Sequence, residues 1–122
     1  MFDTNALIFA VSDPRKLSRK AKSAIARADA VYLSAASLWE IALKAAKGKM
    51  PDGARAYHRA AIELGVQVLG IEAEDIHALE LVADFAHADP FDRLIVACAR
   101  RRMLPLVSCD LRIRGYLSNT IW

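Results

Sequence analysis

The chain has 122 residues, 55% of them hydrophobic and 25% charged, with a formal net charge of +3. This is the make-up of one globular domain with enough apolar material for its own core, and it excludes a disordered chain or a small disulfide-stapled scaffold. No apolar run reaches the ~18–20 residues of a membrane span, and the start lacks the basic and apolar regions of a signal peptide, so a cytoplasmic protein without a membrane partner is expected.

Met1-Phe2 is a short apolar start followed by Asp3-Thr4-Asn5. Ser12-Asp13-Pro14 reads as a helix entry, with proline in the first turn. Leu17, Ala21, Ala24, Ile25 and Ala28 continue that helix, with basic residues opposite. Residues 30–33 are apolar and partly β-branched, as a buried strand is. A helix is expected from Ser37 to Lys47, with Gly48 as its stop, and residues 50–53 form a turn. Next come a helix over 54–64 ending at Gly65, a strand over 66–69, and a helix from Ala73 or Asp75 to Val82. Asp89 opens a further helix reaching about Met103. Residues 104–108 form a strand entered through Pro105, and residues 120–122 a terminal edge strand. Strands alternating with helices imply a three-layer α/β/α fold around a central parallel sheet, with residues 1–122 as a single domain.

Charge is unevenly spread. Residues 14–27 hold Arg15, Lys16, Arg19, Lys20, Lys22 and Arg27 and no acid, and Lys44, Lys47, Lys49, Arg55 and Arg59 extend the basic character. Residues 72–92 hold Glu72, Glu74, Asp75, Glu80, Asp84, Asp89 and Asp92 and no Lys or Arg. A basic surface beside an acidic pocket suits a polyanion held while metal acts on its phosphates, although the basic segment taken alone favours an ordinary solvated helix face. Cys98 falls on an apolar stripe as a reduced core thiol, and neither it nor Cys109 has zinc-ligand spacing.

Asp3, Glu40, Asp92 and Asp110 each stand just beyond a strand end or at a helix start. Open α/β sheets bind ligands outside the carboxyl ends of their strands, so these four acids can converge in one crevice. Such a cluster repels itself without a cation, and oxygen donors suit a hard divalent ion. Each acid also has a structural explanation. Ser37-Leu38-Trp39-Glu40 fits a capping box, Asp89-Pro90-Phe91-Asp92 fits a cap with an acidic first turn, and Asp3 and Asp110 fit turns or caps. His87 is a possible ligand or base, more simply a hydrogen-bonded loop residue. There is no Gly-x-Ser-x-Gly elbow and no glycine-rich phosphate loop.

Phe2-Asp3-Thr4-Asn5, the run from Ser34 to Ala42, the His87-Ala88-Asp89-Pro90-Phe91-Asp92-Arg93-Leu94-Ile95 segment and Ser108-Cys109-Asp110 together resemble the PIN-domain ribonucleases, specifically the VapC-like toxins of type II toxin–antitoxin pairs. The resemblance covers nearly the whole chain. It implies an acidic quartet at Asp3, Glu40, Asp92 and Asp110, with Asp89, Thr4, Asn5 and Ser108 in support. It implies Mg²⁺ or Mn²⁺ as cofactor, RNA as substrate, a cognate antitoxin as partner and a homodimer. Arg93 and the basic first helix are candidates for phosphate contacts. In one respect the chain departs from the family pattern: only Met1 and Phe2 precede Asp3, where several apolar residues are usual. So short a first strand is expected to weaken the sheet or misplace Asp3. Three readings from other classes compete: a catalytically impaired RNA- or partner-binding domain, a receiver-like phosphorylation domain and a DNA nuclease. The receiver reading lacks its paired acids and its late lysine, since no lysine follows Lys49.

Overall fold

The computed structural model describes residues 1–86 and 88–122; His87, read above as a possible ligand or base, lies outside the described residues. Strand β1 (Val31–Ser34) pairs in parallel with β2 (Val66–Leu69), and β3 (Leu106–Val107) with β4 (Thr120–Ile121). Phe2 joins the two pairs, bridging in parallel to Leu33 on one side and Val107 on the other. Its N–H donates to the Tyr32 carbonyl at 2.8 Å, and the Asp3 N–H donates to the Val107 carbonyl at 3.0 Å. The order is therefore β2-β1-Phe2-β3-β4, all parallel, with Phe2 in the central position. The first strand is indeed short, but it does not misplace Asp3: the ladder bond to Val107 fixes that residue at the carboxyl edge of the sheet.

Alternate residues of the strands face opposite layers, as the two-residue period requires. Phe2, Leu33, Val66 and Val107 join Leu7, Leu17, Ala21, Tyr57 and Ala61 in one core. These come from helices α1 (Thr4–Ser12), α2 (Arg19–Arg27) and α4 (Ala54–Glu63), with Leu17 from the turn before α2. Leu106 faces the other core, with Ile95 and Ala99 of α6 (Pro90–Arg101) and Val82 of the 3₁₀ turn Ala78–Val82. That turn follows α5 (Ala73–His77). Between β1 and α4, helix α3 (Ala35–Ala46) touches α1, α4 and α6, and so spans both layers at the carboxyl end of β1. Helices on both faces of a parallel sheet give the three-layer α/β/α fold expected.

Three local readings change. The helix expected from residue 12 to 28 is two pieces. Asp13 caps a 3₁₀ turn at Pro14–Lys16, Leu17 is extended (φ −69°, ψ 133°), and the Ser18 side chain restarts the helix by accepting the Ala21 N–H at 3.0 Å. The capping box at Ser37–Glu40 does not form, because Ser34 is the cap of α3 and accepts the Ala36 N–H at 3.2 Å. Finally, α1 and the short helix α7 (Leu111–Tyr116) add elements that the apolar pattern did not disclose.

Candidate active site

Asp3, Asp89 and Asp110 are all helix N-caps, so each carboxylate is held where backbone N–H groups converge. Asp3 Oδ1 accepts from the Ala6 N–H at 2.6 Å and caps α1. Asp110 Oδ1 accepts from the Arg112 and Ile113 N–H groups at 2.7 and 3.1 Å and caps α7. Asp89 Oδ1 accepts from the Phe91 N–H at 2.8 Å and caps α6, with Pro90 first in the helix and Asp92 in its first turn. The capping roles foreseen for these residues are thus real. They also set the acids at one end of the sheet.

Asp3 is the buried centre, only 2% exposed. Burial pushes its carboxyl up to about 6 against hydrogen bonds from Ser108 and the Ala6 N–H, and the charges of Asp110 and Glu40 push it further the same way. Those interactions bring Asp3, Glu40, Asp110 and Ser108 into one neighbourhood. Ser108 is fully buried, and its Oγ also accepts the Asp110 N–H at 3.1 Å, tying the first and last acids together. Asp92 reaches this end of the fold on the first turn of α6. There its neighbour Phe91 packs edge-on against Trp39 of α3, ring centroids 4.8 Å apart, one residue before Glu40. Among the described residues, no three Asp, Glu, His or Cys side chains stand close enough to close on one ion.

The polar atoms around the acids fit a hard cation nonetheless. The buried oxygens left without a hydrogen-bond partner include Thr4 Oγ1, Ser37 Oγ and Glu40 Oε2. Thr4 follows Asp3, and Ser37 lies one turn before Glu40 on the same face of α3. Buried oxygens seldom go unpaired, and a cation or a proton donor at Asp3 and Glu40 would satisfy these three. The other Glu40 oxygen, Oε1, is 2.6 Å from Lys44 Nζ.

Of the supporting residues, Thr4 is buried and Asn5 exposed in the first turn of α1, while Arg93 is half-buried in the first turn of α6. Ser37 and Lys44 also stand beside Glu40, and the sequence marks neither as a candidate site residue. In the sequence Ser37 fits the expected capping box and Lys44 adds to the general basic character; the spacing of four from Glu40 is the signal for Lys44. Part of the acidic segment 72–92 serves structure instead. Glu72 and Asp75 pair with Arg101 and Arg102, and Asp84 accepts from the Tyr116 hydroxyl at 2.6 Å.

The family profile described as PIN domain matches residues 1–116. Among the solved structures that share the fold are two toxin–antitoxin assemblies. One, a toxin–antitoxin complex from Klebsiella pneumoniae, aligns over 99% of this chain and 94% of its own with a TM-score of 0.67 and 22% identity. The other, VapBC2 from Rickettsia felis bound to a DNA fragment from its promoter, aligns over 100% and 98% with a TM-score of 0.70 and 14% identity. No curated protein matches the chain in sequence.

Proposed function

Because the chain belongs to the PIN domain family, we propose that it is a metal-dependent endoribonuclease, acting in the cytoplasm as the toxin of a toxin–antitoxin pair. The observation that carries this reading is Asp3. It is a buried carboxyl at the carboxyl edge of the sheet, crowded by Asp110 and Glu40, with unpaired Thr4, Ser37 and Glu40 oxygens around it. Asp3, Asp92 and Asp110 would hold Mg²⁺ or Mn²⁺, with Glu40 holding it directly or through water. Mg²⁺ keeps several waters of its own, so widely set carboxylates suffice. When bound, the ion polarises a phosphate oxygen and lowers the pKa of a bound water.

The chain's own groups supply position and charge. Ser108 holds Asp3 and Asp110 in register by its two hydrogen bonds. Glu40, paired to Lys44 through one oxygen, keeps its other oxygen for an attacking water. Asp89 fixes the first turn of α6, and with it Asp92 and Arg93, the latter placed to meet a backbone phosphate. The fold shared with a toxin–antitoxin complex and with VapBC2 supports an antitoxin partner, which would mask this end of the sheet; a homodimer is proposed beside it.

The test is purified, antitoxin-free protein with total cellular RNA, in Mg²⁺, in Mn²⁺ and in EDTA, beside Asp92→Asn. Cleavage into discrete products that needs metal and vanishes in the variant is expected. A folded wild type that cuts nothing would return the chain to the reading of a non-catalytic binding domain.

A further inference from the structure

Glu40 of α3 is 8% exposed, and its two oxygens meet different surroundings. Oε1 lies 2.6 Å from the Lys44 ammonium one turn further along the helix, whereas Oε2 is buried and has no hydrogen-bond partner. Glu–Lys pairs four apart are common on exposed helix faces, where they contribute little. Here the carboxylate is nine-tenths buried and the ammonium only 34% exposed, so salt and water screen the pair poorly. A buried carboxylate needs a partner, and among the described residues Lys44 is the cation that pairs with Glu40. The charge of Glu40 also bears on Asp3, whose carboxyl it pushes up together with Asp110. Both side chains of the pair line a cleft of about 200 Å³ between α3 and the start of α6, so the pair can open without disturbing the core.

We propose that Lys44 is a positioning residue, the built-in counter-ion of the acidic centre. It binds Oε1 of Glu40 and so leaves Oε2 turned to the interior. It also holds one positive charge beside the carboxylates, which limits how tightly they take a divalent ion. The inference rests on the metal-dependent reading above and adds to it a residue that gives up metal affinity for the orientation of Glu40.

Calorimetric titration of Mn²⁺ into the metal-free full chain tests this without RNA. Lys44→Met removes the charge and keeps much of the side-chain length and the helix propensity, and Lys44→Gln is a second neutral variant. Both should bind Mn²⁺ about tenfold more tightly at low salt, because the repulsion between the ammonium and the ion is gone. The gain should shrink as salt rises. Lys44→Arg keeps the charge and the grip on Oε1 and should retain wild-type affinity. In the Glu40→Gln background nothing holds the ammonium at the centre, so adding Lys44→Met should change the affinity by less than about twofold.

Unchanged or weaker Mn²⁺ binding by the folded neutral variants overturns the proposal and leaves Lys44 in an ordinary helix pair. An equal gain in the Glu40→Gln background overturns it too, because Lys44 would then act without Glu40. With RNA at saturating Mn²⁺, Lys44→Met should lower kcat on the order of tenfold or more with KM unchanged. A raised KM at unchanged kcat overturns the positioning role and makes Lys44 a substrate contact. The two readings fail separately. Tighter Mn²⁺ binding by Lys44→Met in a protein that cuts no RNA keeps the counter-ion and removes the nuclease. Metal-dependent cleavage with equal Mn²⁺ affinity in Lys44→Met and wild type keeps the nuclease and removes the counter-ion.

Discussion

Asp3 is a carboxylate whose ionisation the fold opposes. Its ordinary value of 3.8 is pushed up to about 6, first by burial and then by Asp110 and Glu40, against the hydrogen bonds it accepts. Between those two pH values the folded, metal-free protein keeps a proton that the unfolded chain has released. Stability therefore falls as pH rises through that window, and the loss is complete above about 6. At ~1.4 kcal/mol per unit, the shift amounts to about 3 kcal/mol. Asp3→Asn retains the acceptor for the Ala6 N–H and removes the charge. Without metal it should be more stable than wild type at pH 7, by up to about 3 kcal/mol, and should lose the slope between pH 4 and 6. Urea unfolding across pH checks this, and equal stabilities at neutral pH would refute the burial argument. Ser108→Ala should act in the opposite sense. It strands the Asp110 N–H and takes a donor from Asp3, costing on the order of 1–3 kcal/mol in the same measurement.

The helices show how far this fold lies open in its residues. Away from the site, Asp75 of α5 is buried against Arg101 and Arg102 at the end of α6 and accepts the Glu72 N–H at 3.0 Å. Burial alone would raise its carboxyl, but Arg102, the backbone of Glu72 and Arg101 hold it at about 2. A depressed acid stabilises above its ordinary value and loses that contribution as pH falls towards 2. Asp75→Asn should therefore cost about 2–4 kcal/mol at neutral pH and flatten the acid limb between pH 4 and 2, read by circular dichroism. This latch was not visible in the sequence, because its partners are far apart and acidic runs look alike whether they bind or brace. The helices over 54–63 and 90–101 were legible, since each has an apolar stripe, and Gly65 after the first and the Asp89-Pro90 cap before the second mark an end. Helix α1 was not, because residues 6–11 are apolar on every side and carry no period. Ser34 and Ser37 both suit a cap, and only the strand ending at Ser34 decides between them. The acids of the candidate site could be read from their places at strand and helix ends. Ser37 could not, because its role depends on the true start of α3, whereas the spacing of four between Glu40 and Lys44 on one helix is a signal for Lys44.

As a whole, the molecule is two strand pairs joined through one residue. Phe2, 2% exposed, is the bridge between β1 and β3, so it couples the halves that carry Glu40 and Asp110. Phe2→Ala should cost about 3–5 kcal/mol and broaden thermal unfolding, whereas a sharp transition at the wild-type temperature would place the coupling elsewhere. The same joint sets Asp3 between the two halves, which is why acids distant in the chain can share one end of the sheet. The proposed function requires that Asp3, Glu40, Asp92 and Asp110, drawn from four parts of the fold, serve one metal site. Calorimetric titration of Mn²⁺ into metal-free protein tests it, with Asp3→Asn, Glu40→Gln, Asp92→Asn and Asp110→Asn in parallel. The expected result is saturable binding by wild type, weakened on the order of tenfold or more by each substitution. A folded Asp92→Asn protein that binds Mn²⁺ as tightly as wild type would contradict the account.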